Sequence, residues 1–410
     1  MMNNTINEKI KELFEATPKN ISVAFGRKSV GGELTGELAF MFMVPQKLPL
    51  NEIPENEILP SNVIVDGESY KTDVVEVGEI KLLACDSNTN NSCYGWQTTP
   101  PTNQNAIRPI KGGIQISSHN NSLNYPTSIT VGTLGFIALD SETSALVGVS
   151  NNHVLVKNAF YTSERNVNGA TVENETDDNV YQNGFDRSTG GTIGKVIRYV
   201  PLSKTGLNQV DGALFAIYSN MISNSESYKQ HGLSISTPMP FASTAEIDNA
   251  LVGNYPLASS GRSTGAKMNS PCGLIVNSLG AITYVGPFYD NGSNETPLFN
   301  DLIAFTRQNH DCPYPIYPGD SGSSLLANIG GTWKIIGLCF AGSNTIGYAC
   351  RIDHVASQLG IQSWDGTSKP FIDINSIDIK AVPGTSTDKT IDCNGTTYWQ
   401  MGSANNTNFC

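Results

Sequence analysis

Short apolar runs separated by glycine, asparagine and serine recur along the chain from residue 110 to residue 365. Examples are "GGIQISS", "TVGTLGFIALD", "GTIGKVIRYV", "DGALFAIY", "SSLLANIG" and "WKIIGLCFAG". Runs of this length with such breaks are typical of β-strands joined by turns, and a series of them is typical of a barrel or a sandwich. The pattern therefore predicts one large all-β domain over residues 110–365.

The regions on either side of that domain have different patterns. Residues 1–18 place Ile6, Ile10 and Leu13 on one face at helical spacing, which predicts a helix. The rest divides by composition into a small α+β module at 19–82, a linker rich in Asn, Thr and Pro at 83–109, and a tail rich in Gly, Ser, Thr and Asn at 366–410. We expect the module to guide folding, to cover a cleft or to bind a partner.

Charge excludes some classes of function. The chain has a formal net charge of −12 and no cluster of Lys and Arg. Nucleic-acid binding needs concentrated basic groups to neutralise phosphates, so that class is disfavoured. No apolar run of about eighteen residues is present, so we expect no membrane span. The N-terminus lacks the basic start and apolar core of a secretory signal, which favours a cytoplasmic location. The oligomeric state stays open.

The eight cysteines favour a different location, because disulfides persist in oxidising compartments. Six of them lie in loop-like stretches: Cys85, Cys93, Cys312, Cys350, Cys393 and Cys410. The pairs Cys85–Cys93 and Cys393–Cys410 would each close a short loop. Free thiols are an alternative, and metal binding is disfavoured because neither CxxC nor HxxxH occurs. An extracellular or particle-associated location therefore stays open.

Three segments carry residue types suited to nucleophilic catalysis. Ser321 lies in "YPGDSGSSLL", with nearby glycines that allow a sharp bend. A serine hydroxyl needs a base within hydrogen-bond reach and a partner that orients the base. His153 follows an apolar strand in "LVGVSNNHVLV", and Asp211 precedes one in "VDGALFAIY". Taken singly, such a histidine is more often structural and such an aspartate more often forms a turn.

The order of the three residues favours the catalytic interpretation. They occur as His, Asp and Ser along the chain, which is the order of chymotrypsin-like peptidases and differs from subtilisin-like and α/β-hydrolase enzymes. Ser321 is followed by a predicted strand instead of a helix. The backbone N–H groups of Gly319 and Ser321 are then placed to form an oxyanion hole. Asp320, beside the nucleophile, is expected to stabilise the loop.

Residues 110–365 resemble the chymotrypsin-like (trypsin-like) serine peptidase superfamily in "SNNHVL", "VDGALFAI" and "PGDSGSSLL". A wider likeness, over roughly residues 20–362, is to largely uncharacterised bacterial trypsin-like peptidases, a group that includes the plant narrow-leaf proteins. It rests on segments such as "TGELAFMFMVPQ", "RPIKGG" and "GTLGFIALD". The resemblance implies a mainly β fold of two six-stranded antiparallel barrels behind the α+β module. It implies no cofactor and no metal.

The resemblance also implies roles for single residues. His153 would be the general base and acid, Asp211 its orienting partner and Ser321 the nucleophile of an endopeptidase that cleaves polypeptides. It further implies a disulfide between Cys312 and Cys350.

The primary specificity pocket departs from the trypsin pattern. Pro315 stands six residues before the nucleophile, where a trypsin-like enzyme has aspartate, so cleavage after Lys or Arg is not supported. By the resemblance, Phe340, Ala341 and Gly342 would line the pocket, which favours a medium or small apolar side chain before the scissile bond. The alternative function is a catalytically silent or latent protease-fold binding protein, associated with a surface or particle.

Overall fold

The computed structural model describes most of the chain. The described residues are 2–18, 20–31, 33–83, 85–86, 101–118, 130–156, 160, 179–182, 191–268, 273–290, 293–308, 314–373, 380–381, 389–393 and 396–400.

Helices are short and few in the described ranges. They are α1 Asn4–Glu15, α2 Asn152–Leu155, α3 Thr244–Asp248, α4 Ala250–Gly253 and α5 Ile352–Leu359. The Asn3 side chain caps α1 by accepting from the N–H of Ile6 at 2.8 Å, and Ile6 and Ile10 are buried as the helical pattern predicts. Nowhere in the part of the chain that the structure describes is a helix long and apolar enough to cross a membrane.

Strands make up most of the regular structure. Those before residue 200 are β1 Ser22–Val30, β2 Glu33–Val44, β3 Asn62–Val65, β4 Glu68–Glu76, β5 Lys81–Leu82, β6 Cys85–Asp86, β7 Gln115–Ser118, β8 Thr130–Thr133, β9 Phe136–Asp140, β10 Leu146–Ser150, β11 Asn179–Tyr181 and β12 Thr192–Tyr199. Those after it are β13 Leu207–Asn208, β14 Ala213–Ile217, β15 Leu257–Gly261, β16 Gly265–Lys267, β17 Leu274–Tyr284, β18 Phe288–Asp290, β19 Ser293–Glu295, β20 Leu298–Arg307, β21 Ser324–Ile329, β22 Thr332–Gly342, β23 Gly347–Arg351, β24 Ile361–Ser363, β25 Lys380–Ala381, β26 Lys389–Cys393 and β27 Thr396–Gln400.

The first large sheet contains the strands that carry the predicted His and Asp segments. Its hydrogen-bonded order is β24-β9-β10-β14-β12-β11-β7-β8-β6, and β25 pairs with β12. Strand β10 leads into His153, and β14 begins two residues after Asp211. These two strands are antiparallel neighbours, with Ser150 opposite Ala213. Their pairing therefore brings the two segments to the same edge of the sheet.

The second large sheet closes on itself. Strands β20, β23, β22, β21, β15 and β17 follow one another in antiparallel pairs, and β17 also pairs with β20. This closure makes a six-stranded antiparallel barrel. Ser321 lies just before β21, in the turn that enters the barrel. The fold is thus mainly β with two curled sheets, as the sequence predicts for a chymotrypsin-like fold.

The N-terminal strands belong to the same sheet as the second barrel. Strand β1 pairs with β17, with Val23 opposite Ile282, and β2, β4 and β3 extend the sheet from β1. The side chains of β2 from Ala39 to Met43 are all buried. The segment predicted as a separate module is therefore joined to the barrel by main-chain hydrogen bonds and a continuous core.

The predicted cysteine pairing is wrong at Cys350. Cys350 is a free thiol buried in β23, so the disulfide with Cys312 is not formed. Its sulfur instead accepts from the backbone N–H of Asp211 at 3.3 Å, and burial raises its pKa well above the ordinary value. Cys312 itself lies outside the described residues. So do Cys93 and Cys410, and with them the pairings Cys85–Cys93 and Cys393–Cys410.

Candidate active site

His153 and Asp211 form a buried pair at the edge of the first sheet. Nδ1 of His153 contacts Oδ2 of Asp211, and the His153 backbone N–H donates to Oδ1 at 3.1 Å. Asp211 is fully buried and His153 is 8% exposed. An ionised carboxylate only accepts hydrogen bonds, so Nδ1 carries the ring proton, and Nε2 of the neutral ring is left as an acceptor. Nε2 has no hydrogen-bond partner among the described residues.

Hydrogen bonds from two asparagine side chains to main-chain carbonyls hold this pair in place. The Asn151 amide nitrogen donates to the backbone carbonyl of Asp211 at 2.6 Å, and the Asn152 amide nitrogen donates to that of Val200 at 2.7 Å. The ring of Phe288 also packs edge to face with the His153 ring, at 6.0 Å between centroids. The turn "SNNHVL" therefore provides both the histidine and the two side chains that fix its position.

Ser321 lies in a turn whose backbone conformation requires glycine at a position before it and at a position after it. Gly319 has a φ of +98° and Gly322 a φ of +89°, the left-handed region that other residues avoid. A Cβ on Gly319 would also lie 2.4 Å from the Ser263 hydroxyl oxygen. The fully buried Ser321 donates through its hydroxyl to the carbonyl of Phe340 at 3.3 Å.

Packing brings the Ser321 turn to the His153 turn. The Thr133 N–H donates to the Ser321 carbonyl at 2.7 Å, and the Thr133 hydroxyl donates to that of Gly319 at 2.8 Å. A Cβ on Gly132 would lie 2.6 Å from the Val154 side chain and 2.9 Å from the Ser321 carbonyl oxygen. Gly132 thus lies between Val154 and Ser321, and its lack of a side chain lets the two turns approach each other.

Asp320 stabilises the loop that carries Ser321, as predicted. Its buried carboxylate accepts from the backbone N–H groups of Ser263, Thr264 and Tyr317 at 2.8–3.0 Å, and from the Thr264 hydroxyl at 2.6 Å. A carboxylate with this many donors ties the turn to the segment "GRSTG" in the second barrel.

Replacing Asp320 by alanine should lower the free energy of unfolding by about 3–5 kcal/mol, because buried donors would lose their acceptor. Asp320→Asn should be milder, since the amide oxygen still accepts. Urea unfolding of the three proteins checks the order. Equal stability of Asp320→Ala and the native protein would contradict this role of the carboxylate.

One of the two N–H groups predicted for the oxyanion hole already has an acceptor. The backbone N–H of Gly319 donates to the carbonyl oxygen of Leu83 at 2.5 Å. The backbone N–H of Leu83 in turn donates to the carbonyl of Phe340 at 3.3 Å. A residue from the predicted linker thus lies between the Ser321 turn and β22.

Three of the four predicted pocket residues, Phe340, Ala341 and Gly342, lie beside the segment Lys81–Leu83. Strand β5 pairs antiparallel with the end of β22, with Leu82 opposite Ala341 and Lys81 opposite Gly342. Pro315 is buried, and its carbonyl accepts from the ammonium group of Lys267 at 2.8 Å. Burial lowers the pKa of Lys267 to about 8.

Sequence reasoning missed Leu83. The signal was present as the apolar residues of "EIKLLA", which stand at the start of a stretch otherwise rich in Asn, Thr and Pro. The predicted boundary between module and linker fell at 82/83 and divided this segment.

No protein-family model and no curated protein matches the sequence. Among solved structures, the chain is similar to a glutamic-acid-specific serine protease described as using a novel histidine triad in substrate binding. The identity is 14%, the match covers 62% of this chain and 100% of that chain, and the TM-score is 0.38.

Two further solved structures give comparable values. Protease A of Thermobifida fusca is 16% identical over 62% of this chain and 98% of its own, with a TM-score of 0.35. Chymotrypsin of Cellulomonas bogoriensis is 15% identical over 62% of this chain and 98% of its own, with a TM-score of 0.34. The likeness to the narrow-leaf group stays a prediction.

Proposed function

We propose that the protein is a serine endopeptidase with Ser321 as nucleophile, His153 as general base and acid, and Asp211 as the group that orients His153. One observation carries the proposal: the buried Asp211 carboxylate holds Nδ1 of His153, which leaves Nε2 without a partner in the described part of the chain. A structural histidine buried to this degree would ordinarily use both ring nitrogens.

Acylation requires one side-chain rotation. The Ser321 hydroxyl now points to the Phe340 carbonyl, and we propose that rotation about its Cα–Cβ bond brings it within hydrogen-bond reach of His153. Nε2 then takes the hydroxyl proton as the oxygen attacks the peptide carbonyl, and the same proton passes to the leaving amine. The Gly319 N–H, which already binds a carbonyl oxygen, stabilises the oxyanion.

Deacylation repeats these steps with water. Nε2 of His153 takes a proton from water as the water oxygen attacks the acyl carbon, and returns it to Ser321 as the ester breaks. Asp211 stays ionised and stabilises the imidazolium formed in both steps.

A latent protease-fold binding protein is the second candidate. It is favoured by the segment at Leu83, which fills the place of a peptide beside β22 and uses the Gly319 N–H. The two candidates differ in whether Ser321 is chemically activated.

Labelling with a fluorophosphonate, read by intact mass, separates them. We expect one adduct on the native protein, mapped to Ser321 by peptide sequencing, and none on Ser321→Ala. His153→Ala should react far more slowly, since the hydroxyl loses its base. Equal labelling of native protein and His153→Ala would contradict the proposed triad.

A further inference from the structure

The segment Ile80–Leu83 is bound in the manner of a substrate. Leu83 uses both of its main-chain groups: its N–H donates to the Phe340 carbonyl at 3.3 Å, and its carbonyl accepts from the Gly319 N–H at 2.5 Å. The Leu83 carbonyl therefore binds a predicted oxyanion donor, and the Leu83 N–H shares its acceptor, the Phe340 carbonyl, with the Ser321 hydroxyl.

The chain crosses the site from one sheet to the other. Before Leu83, strand β5 pairs antiparallel with β22 of the second sheet. After it, strand β6 pairs antiparallel with β8 of the first sheet, with Cys85 opposite Val131 and Asp86 opposite Thr130. Strand β8 leads directly to Thr133, whose N–H binds the Ser321 carbonyl. The chain is thus paired with the second sheet up to Leu82 and with the first sheet from Cys85 onwards.

The Leu83 side chain is suited to an apolar pocket. It is 3% exposed and belongs to the same buried apolar cluster as Ile316, Phe340 and Ala341. A Cβ on Gly342 would lie 2.7 Å from the Ile316 side chain, so a larger residue at position 342 would clash with Ile316. A medium aliphatic side chain matches the pocket predicted from the sequence.

The segment is also fixed upstream. The hydroxyls of Ser343 and Thr345 donate to the carbonyl of Val77, the latter at 3.1 Å. Val77 donates through its own N–H to the Val44 carbonyl at 2.9 Å. Holding a reacting bond in place in this way gives it a high effective concentration at the nucleophile.

We propose, on the basis of the proposed function, that this peptidase cleaves its own Leu83–Ala84 bond and prefers leucine on the acyl side of the scissile bond. Ser321 Oγ forms an ester with the Leu83 carbonyl carbon, the bond to the Ala84 nitrogen breaks, and His153 transfers the Ser321 proton to that nitrogen. Water then hydrolyses the ester. The products are residues 1–83 with a free carboxylate and a fragment that begins at Ala84.

The first test follows purified full-length protein by intact mass and N-terminal sequencing. Native protein should yield a fragment beginning at Ala84, and Ser321→Ala should stay intact. The first-order rate should not change with protein concentration, because the reaction is intramolecular. Ser321→Ala mixed with native protein should also stay intact at Leu83. Cleavage of Ser321→Ala by added native protein at the same rate would overturn the intramolecular step.

Substitutions at Leu83 test the specificity. Leu83→Met should retain cleavage, whereas Leu83→Asp should slow it by at least ~100-fold, because a carboxylate would enter an apolar pocket. Leu50→Asp, at a leucine that is 69% exposed, is the matched control and should cleave as the native protein does. Leu83→Ala provides a milder reduction should Leu83→Asp not fold, and circular dichroism reports folding for each variant.

Labelling separates failure of this proposal from failure of the proposed function. One possible result is that native protein stays uncut and does not label, whereas folded Leu83→Asp labels at Ser321. This result would overturn self-cleavage, because it would show an active enzyme that is inhibited by an uncleaved segment. Labelling of uncut native protein would overturn it equally. No labelling of Ser321 in any folded variant would overturn the proposed function itself.

Discussion

Replacing Ser321 by alanine should lower kcat for a peptide substrate by a factor of ~10⁶, because the attacking atom is removed. A peptide anilide with the residues of positions 80–83, Ile-Lys-Leu-Leu, is the substrate to use, since it copies the bound segment. Initial rates of anilide release at saturating substrate measure the effect.

Ser324→Ala is the matched control for this variant. Ser324 is also a fully buried serine, three residues further along, and its hydroxyl has no hydrogen-bond partner within the described ranges. Its loss should leave the rate within a few-fold of the native value. Equal rates for Ser321→Ala and the native protein would contradict the assignment of the nucleophile.

Replacing Asp211 by asparagine should lower kcat by a factor of ~10⁴ while KM changes little. An amide nitrogen would donate to Nδ1 of His153, so the ring would hold its proton on Nε2 and could no longer take one from Ser321. Steady-state kinetics with the same anilide, together with the rate of fluorophosphonate labelling, measures this change.

Asp140→Asn separates orientation from general loss of a buried charge. Asp140 is buried in the same sheet and accepts from the guanidinium of Arg198 at 2.6 Å. This variant should lose stability but keep kcat within a few-fold of the native value. Equal loss of kcat in both variants would show that Asp211 acts only through the fold.

The three candidate segments could be recognised in the sequence because each lies in a local pattern. "SNNHVL" ends a strand, "VDGALFAI" begins one, and "PGDSGSSLL" contains the two glycines that the turn requires. The order of the three residues along the chain then predicted that these distant segments meet, and the structure brings His153 and Asp211 into contact. The Asp320 role followed from the same pattern.

Contacts that depend on register between distant strands could not be predicted in this way. Leu83 meets Gly319 across 236 positions of sequence (319 minus 83), and nothing in the local pattern fixes that pairing. Cys350 looked available for a disulfide in sequence, but β23 turns its sulfur inward to the backbone of Asp211. A one-residue change in strand register would reverse which face a side chain occupies.

The pairing of β1 with β17 has a consequence for a chain cut after Leu83. The two pieces would stay together as a non-covalent heterodimer, because Val23, Phe25 and Gly26 remain hydrogen-bonded to the partner strand and Ile6 and Ile10 remain buried. Folding of the intact chain is unimolecular, but reassembly of the pieces after denaturation is bimolecular and depends on concentration. The cut would therefore leave the folded structure unchanged, but it would make refolding after denaturation depend on protein concentration.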